Sequence, residues 1–313
     1  MSIKKHLRVC VFLYFLVFAS CAAFRPAEPA QEIPFAPFPP FTVGSASPGD
    51  VVPLWQPLSL DTDAVLFFAG RTYSPRIEFW AVRLDMAAEG VGIVVKGGAE
   101  GGAGSGADSG AGTFSSRVST FVADNGLLAG INALPFNIST AEDGLPIRNV
   151  GIVVSEGELV SAANPNFYAL VWYYDGGTAI VAQSQIEYTG NIQNAVGGFH
   201  QILEAGELTE RAATRRASHP RTAAGICQDG RFLYLLVIDG RRRGSAGATE
   251  AQTAQILKRL GAHNGINFDG GGSSAMAARA PDDSVWVLNT PVHGGVPGRE
   301  RAVAGSLGVR LLP

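Results

Sequence analysis

The sequence predicts a mixed α/β chain, α+β in character, organised around a strand–helix–strand (βαβ) unit. Three observations predict it. Residues 232–238 form an uninterrupted apolar run of strand length, the kind that a strand buried on both faces requires. Thr249 then stands where an N-cap belongs, ahead of Ala254, Leu257 and Leu260 on one helical face, and Gly261 follows where the helix should end. A second apolar stretch, 266–268, closes the unit. Strands joined through a helix run parallel, so Asp239-Gly240 and Asp269-Gly270, which follow them, share one sheet edge. As neighbours the strands would lie about 4.8 Å apart, with Asp239 and Asp269 in one pocket.

The elements ahead of this unit are read in order from the amino terminus. Lys4, Lys5 and Arg8 precede the apolar stretch 9–19, and Ala19-Ser20 supplies small residues before Cys21, the pattern of an export signal. As a helix, 9–22 would span about 21 Å, short of the roughly 30 Å hydrocarbon core, so cleavage is expected rather than anchorage. Leu16-Val17-Phe18-Ala19-Ser20-Cys21 resembles a bacterial lipobox, with Phe18 where Leu is usual. This reading makes 1–20 a lipoprotein signal peptide and Cys21 the lipid-bearing residue of a protein held in the cell envelope. A periplasmic or secreted protein is the alternative.

Cleavage there removes Cys10 and the three basic residues, leaving 21 basic against 27 acidic side chains. Membrane attachment would then rest on lipid rather than on a polybasic patch. With Cys21 acylated, Cys227 has no cysteine partner and reads as a small buried hydrophobe.

Seven prolines between 22 and 50 describe an extended spacer, so 21–50 is read as a linker and 51–313 as the functional domain. Apolar runs at 64–68, 77–84 and 91–96, punctuated by Gly and Pro, predict strands of an antiparallel region. The stretch 97–112 is rich in Gly but lacks the Lys-Ser/Thr ending of a phosphate loop, and is read as a flexible insertion.

Composition narrows the function. The 313 residues are 46% hydrophobic and 16% charged, enough to bury one large or two modest cores. A net charge of −3 gives no basic field to coat a nucleic acid, so no such partner is expected. At the Asp-Gly edge, two carboxylates in a low-dielectric pocket would have their pKa values pushed apart, as hydrolysis of a glycosidic bond requires. Gly270, Gly271 and Gly272 let a ligand approach the backbone, and Ser273 and Ser274 add hydroxyls, a setting suited to an anion such as phosphate. Arg221, Arg241, Arg299 and Arg301 lie beside these segments, and the planar guanidinium fork matches phosphate. Arg241, directly after Asp239-Gly240, is favoured over Arg242 and Arg243.

Taken together, His219-Pro220-Arg221-Thr222, Val237-Ile238-Asp239-Gly240-Arg241, Ile266-Asn267-Phe268-Asp269-Gly270-Gly271-Gly272-Ser273-Ser274, Val287-Leu288-Asn289 and Glu300-Arg301-Ala302-Val303 resemble, in order and spacing, the phosphodiester glycosidase family. The resemblance implies cleavage of a sugar-1-phosphodiester at the anomeric C–O bond. Catalytic candidates are then Asp239, Asp269 and Glu300. Substrate-binding candidates are Asn132, Arg221, Arg241, Gly270, Gly271, Gly272, Ser273, Asn289 and Arg301. No cofactor is implied; a divalent ion on Asp239 and Asp269 is the minor alternative.

Three positions depart from the family pattern. Its helix Glu, after Thr-Leu-x, falls on Gln252, with Glu250 two positions earlier as a substitute acid. Its Gly-Gly-Pro becomes Gly197-Gly198-Phe199-His200, and Asn132-Ala133-Leu134 has lost two glycines. Among the histidines, His200 reads as structural or surface, with pocket lining as the alternative, and His219 sits inside a matched motif, whereas His263 and His293 carry no signal. Two rival functions stay open: a glycan- or phosphate-binding lipoprotein without turnover, and a metal-dependent phosphodiesterase that breaks P–O.

The anchor has a direct test. Cys21→Ser should move the protein out of the membrane fraction, because the thioether-linked lipid forms only on that thiol; unchanged detergent partitioning of the variant would refute a lipid on Cys21.

Overall fold

The computed structural model of the chain describes residues 64–73, 75–96, 112–137, 142–280 and 282–311. The expected signal peptide, Cys21, the proline-rich spacer and 97–111 of the glycine-rich insertion lie outside the described residues, whereas Gly112 opens a short strand, Gly112–Phe114.

Strand dominates, and every ladder between named strands is antiparallel. The largest sheet has seven strands in the order Val65–Tyr73, Arg76–Asp85, Phe232–Ile238, Arg221–Ile226, Asn264–Asn267, His200–Glu204, Glu207–Leu208. The apolar run at 232–238 is a strand over those residues, and its continuous hydrophobicity has the expected cause. Leu233, Leu235 and Val237 enter the core shared with two five-stranded sheets, while Tyr234, Leu236 and Ile238 pack against the helix side. The runs at 64–68, 77–84 and 91–96 are strands as well, the third in a different sheet, beside Ser306–Leu311.

The helix runs Glu250–Leu260, with Thr249 as N-cap and Gly261 in the left-handed conformation after its end. Thr249 Oγ1 accepts from the Gln252 amide at 3.2 Å, and Gln252 Oε1 accepts from the Thr249 amide at 2.9 Å, a reciprocal capping box. Ala254, Ile256 and Leu257 are buried against the seven-stranded sheet, and full burial of a Leu or Ile contributes roughly 1.5–3 kcal/mol.

The expected βαβ neighbours are not neighbours. Arg221–Ile226 lies between Phe232–Ile238 and Asn264–Asn267, antiparallel to both, so the outer two run parallel at about twice the 4.8 Å strand spacing. The cause is local. A tight turn after Ile226 pairs Arg221–Ile226 with Phe232–Ile238 as a hairpin, and Arg76–Asp85 covers the hairpin's far side. The strand after the helix then pairs with the free edge of Arg221–Ile226 on one side and with His200–Glu204 on the other.

Cys227 belongs to that turn. It is half-buried rather than buried; its thiol donates to Asp229 Oδ1 at 2.8 Å and accepts from the Phe232 amide at 2.9 Å. Burial and the Asp229 bond push the thiol pKa up, so it stays protonated.

The capping box assigns Gln252 a structural task that an amide performs as well as a carboxylate. Gln252→Ala should therefore lower unfolding free energy by about 1 kcal/mol, and Gln252→Glu should leave it nearly unchanged, in urea titrations followed by circular dichroism.

Candidate active site

The inserted strand determines what the sheet edge presents. Arg221, its first residue, pairs with Ile238, and Ala223 pairs with Asn267, so Arg221 emerges between the two Asp-Gly ends. Asn132, 1% exposed at the end of Ala129–Asn132 in a five-stranded sheet, reaches across to this edge. Its Nδ2 donates to the Asp269 carbonyl at 2.7 Å; its Oδ1 accepts from Thr222 Oγ1 at 2.6 Å and from the Ala275 amide at 3.1 Å. Three of the four hydrogen-bonding positions of the amide are thereby used, so Asn132 shapes the loop after Asp269.

That loop is glycine by necessity. Gly271 has φ +63, and a side chain on it would begin 3.1 Å from Arg241 Nη2. A Cβ on Gly272 would stand 2.7 Å from Arg301 Nη2. Arg241 and Arg301 thus close on the loop from two sides, with Arg301 Nη1 donating to Ser273 Oγ at 3.2 Å and Nε to His293 Nδ1 at 2.9 Å. Arg241 Nη2 lies 3.4 Å from His219 Nδ1, and among the described residues no carboxylate pairs with it. Burial pushes the Asp269 carboxyl above its ordinary value, opposed by a bond from Ser273, the charge of Arg301 and the Gly270 amide.

Asp239 sits differently. It is 1% exposed, and its oxygens accept from Asn289 Nδ2 at 3.0 Å, the Thr290 amide at 3.0 Å and Arg242 Nε at 2.7 Å. Arg242 also pairs with Glu78, so it is a half-buried clamp on both carboxylates. Arg241, at φ +56, turns the opposite way and is exposed. Burial pushes the Asp239 carboxyl up, against the pull of Arg242, Asn289 and Thr290. Asn289 is equally committed, donating also to the Ser274 carbonyl at 3.0 Å and accepting from the Met276 amide at 2.8 Å.

Glu300 is not brought to this edge. Its oxygens accept from the Ser119 amide at 3.0 Å and hydroxyl at 2.6 Å, tying down the start of the Val118–Asp124 helix. The adjacent Arg301 faces the loop because alternate residues of extended chain point opposite ways.

Beside the loop opens a cavity of about 440 Å³. Phe167, Phe199 and His200 form one wall, Arg211, Arg215 and Glu250 another, and Asn267, Gly270, Gly271, Arg221 and Arg241 the remainder. Arg221 is anchored more than displayed: Nε donates to the Ala248 carbonyl at 2.9 Å, Nη2 to Ala217 at 2.8 Å, and Nη1 lies 3.7 Å from Glu250 Oε1.

The model of the phosphodiester glycosidase family matches residues 125–310. This chain belongs to that family. Among solved structures it is similar to the catalytic domain of zebrafish N-acetylglucosamine-1-phosphodiester alpha-N-acetylglucosaminidase, auto-inhibited by pro-peptide, at 19% identity and a TM-score of 0.58, over 82% of this chain and 86% of that one. A hypothetical protein from Synechocystis is similar at 15% identity and a TM-score of 0.53, over 80% of this chain and 63% of that one. Both likenesses concern the fold. No curated protein matches the chain.

Two strands of the seven-stranded sheet, Val65–Tyr73 and Arg76–Asp85, precede the part that the phosphodiester glycosidase family matches. Within the matched part, Gln252 caps the helix, while Glu250 faces the cavity. Sequence reasoning missed Phe167, Arg211, Arg215 and the His293 contact, which carry no linear pattern, and passed over Asn267 inside a quoted motif; Phe199-His200 after Gly197-Gly198 was the other available signal.

His200 lines the cavity, 6% exposed, with burial, Arg211 and Arg215 lowering its pKa to about 4. Between that value and the ordinary 6.5 the unfolded chain binds a proton that the folded chain refuses, so this contribution is complete above 6.5 and lost as pH falls towards 4. The raised carboxyls of Asp239, Asp269 and Glu300 act in the opposite sense, so the comparison must be between variants. His200→Gln should flatten the fall in stability between pH 6.5 and 4 relative to the wild type, as measured by denaturation at each pH.

Proposed function

We propose that this chain hydrolyses a sugar-1-phosphodiester at the anomeric C–O bond. The observation that carries the reading is the Gly270–Gly272 backbone flanked by Arg241 and Arg301, directly after the partly buried carboxyl of Asp269. Phosphate oxygens on that backbone would meet two guanidinium groups, which suit the charge developing there as the bond breaks.

The leaving group decides which protein groups matter. Breaking C1–O sends the bond's electron pair to the bridging oxygen and releases a phosphate monoester, whose second pKa is about 6. Such a group leaves near neutral pH with little protonation, provided its charge is matched, so Arg241 and Arg301 take much of the part that an acid plays with a sugar leaving group. A carboxylate is still required, to receive a proton from the water that bonds to C1 or to stabilise the positive charge on the sugar. Asp269 suits this role because it directly precedes the Gly270–Gly272 backbone and the Ser273 bond fixes its carboxyl there. Asp239, saturated by Arg242, Asn289 and Thr290, acts by holding the 239–242 turn and the 289–290 segment together.

The cellular setting belongs to the same proposal. The positive start, the apolar stretch and Cys21 support an exported, lipid-anchored protein acting on envelope or exogenous glycan. Among the described residues no helix is long and apolar enough to cross a membrane.

Hydrolysis of glucosyl-1-phosphoglycerol in oxygen-18 water tests the chemistry. Label in the sugar is expected; label in phosphate would assign a phosphodiesterase instead, and no product a binder. Asp269→Asn should reduce kcat by roughly 10²- to 10⁴-fold. Wild-type kcat should fall on the acid side with a midpoint above the ordinary Asp value, because burial raises the group that must be ionised.

A further inference from the structure

The cavity beside the glycine loop holds two buried acceptors that the chemistry above does not use. Glu250 is 1% exposed; its Oε1 lies 3.4 Å from Arg215 and 3.7 Å from Arg221, while Oε2 has no hydrogen-bond partner among the described residues. Asn267, 3% exposed, spends its Nδ2 on the Phe268 carbonyl at 3.0 Å and leaves Oδ1 in the same condition. Both residues line the cavity. Leaving a buried acceptor unpaired costs about 1–3 kcal/mol, so two in one cavity define what an occupant must bring, which is hydrogen-bond donors.

The remaining wall sets the occupant's other property. Phe167 and Phe199 meet edge to face at 5.2 Å, and Phe199 lies 5.9 Å from the His200 ring, which is neutral near pH 7. Apolar surface beside a few fixed acceptors, in a volume of about 440 Å³, is the composition of a small-molecule site. An amine is disfavoured there, since Arg211, Arg215, Arg221 and Arg241 outnumber the one carboxylate. Neutral hydroxyls bring donors without charge.

We infer that this cavity is a polyol subsite, in which Glu250 Oε2 and Asn267 Oδ1 accept from hydroxyls of a group esterified to the phosphate held at Arg241. The inference rests on the proposed phosphodiester site and adds the specificity residues to it. The hydroxyls can belong to the glycosyl unit or to the alcohol on the far side of the phosphate, and both present the same chemistry to the acceptors.

The test measures affinity by calorimetry and turnover in parallel, for the wild type, Glu250→Leu, Glu250→Gln and Asn267→Ala. The probes are glucosyl- and N-acetylglucosaminyl-1-phosphoglycerol, the same glycosyl phosphates carrying ethanol in place of glycerol, and their monodeoxy sugars. The wild type should bind the hydroxyl-bearing member of at least one pair about tenfold or more tightly, Glu250→Leu should erase that ratio, Asn267→Ala should reduce it, and Glu250→Gln, which keeps an acceptor, should retain part of it. A ratio confined to the ethanol pair assigns the subsite to the alcohol, and one confined to the deoxy sugars assigns it to the glycosyl unit. If Glu250→Leu does not fold, Asn267→Ala and Glu250→Gln decide the matter. The inference is overturned if the wild type shows no preference in any pair, binds none of the probes, or keeps its ratios in Glu250→Leu and Asn267→Ala. Preference without turnover would remove the proposed hydrolysis and leave the subsite standing; turnover without preference would do the reverse.

Discussion

Asn132 joins the parts on which the candidate site depends. One buried amide, at the end of a strand in a five-stranded sheet, donates to the carbonyl of Asp269 and accepts from Thr222 and from the Ala275 amide. Those three partners belong to the loop that carries Asp269, to the strand that carries Arg221, and to the chain that leaves the loop. Each lone pair and proton used has a partner, and a half-satisfied buried amide would be worse than an apolar residue. The loop can therefore be rich in glycine, and open to a ligand, without being loose.

The charges divide into those that hold the fold and those left for a substrate. Arg242 bridges the buried Asp239 and the half-buried Glu78, Arg71 supplies the second positive charge on Glu78, and Glu300 tethers a helix. Removing one partner from such a buried pair typically costs 3–5 kcal/mol, because the survivor stays buried and uncompensated. Arg241 faces the glycine loop with no carboxylate partner among the described residues, Arg301 faces it beside the charge of Asp269, and the contrast between Arg241 and Arg242 arises from the positive φ at Arg241. Adjacent arginines in one motif thus serve opposite ends, one inward to Asp239 and one outward to the cavity rim.

Much of the fold was legible along the chain. The Phe232–Ile238 strand, the helix with its Thr249 cap and Gly261 stop, and the Asp-Gly ends all follow from local patterns, because burial on two faces, capping and left-handed glycine leave marks within a few residues. The ordered motifs also led to the phosphodiester glycosidase family before any geometry was known. Sheet order left no such mark. The tight hairpin inserted Arg221–Ile226 between the two strands expected to be adjacent, and that pairing depends on which edges were already covered.

Residue chemistry divides along the same line. The sequence by itself determined which residue types stand at the edge: the arginines, the acids and the run of glycines. Tertiary structure alone decided their employment, sending Glu300 to a helix end and Asp239 to Asn289 and Thr290, and placing Glu250 and Asn267 on the lining of a cavity with aromatic residues. The physical reason is that a polar side chain's role is set by the partners within about 3 Å of it. For Asn132 and Asp269, or Glu300 and Ser119, those partners are more than a hundred residues away in the chain.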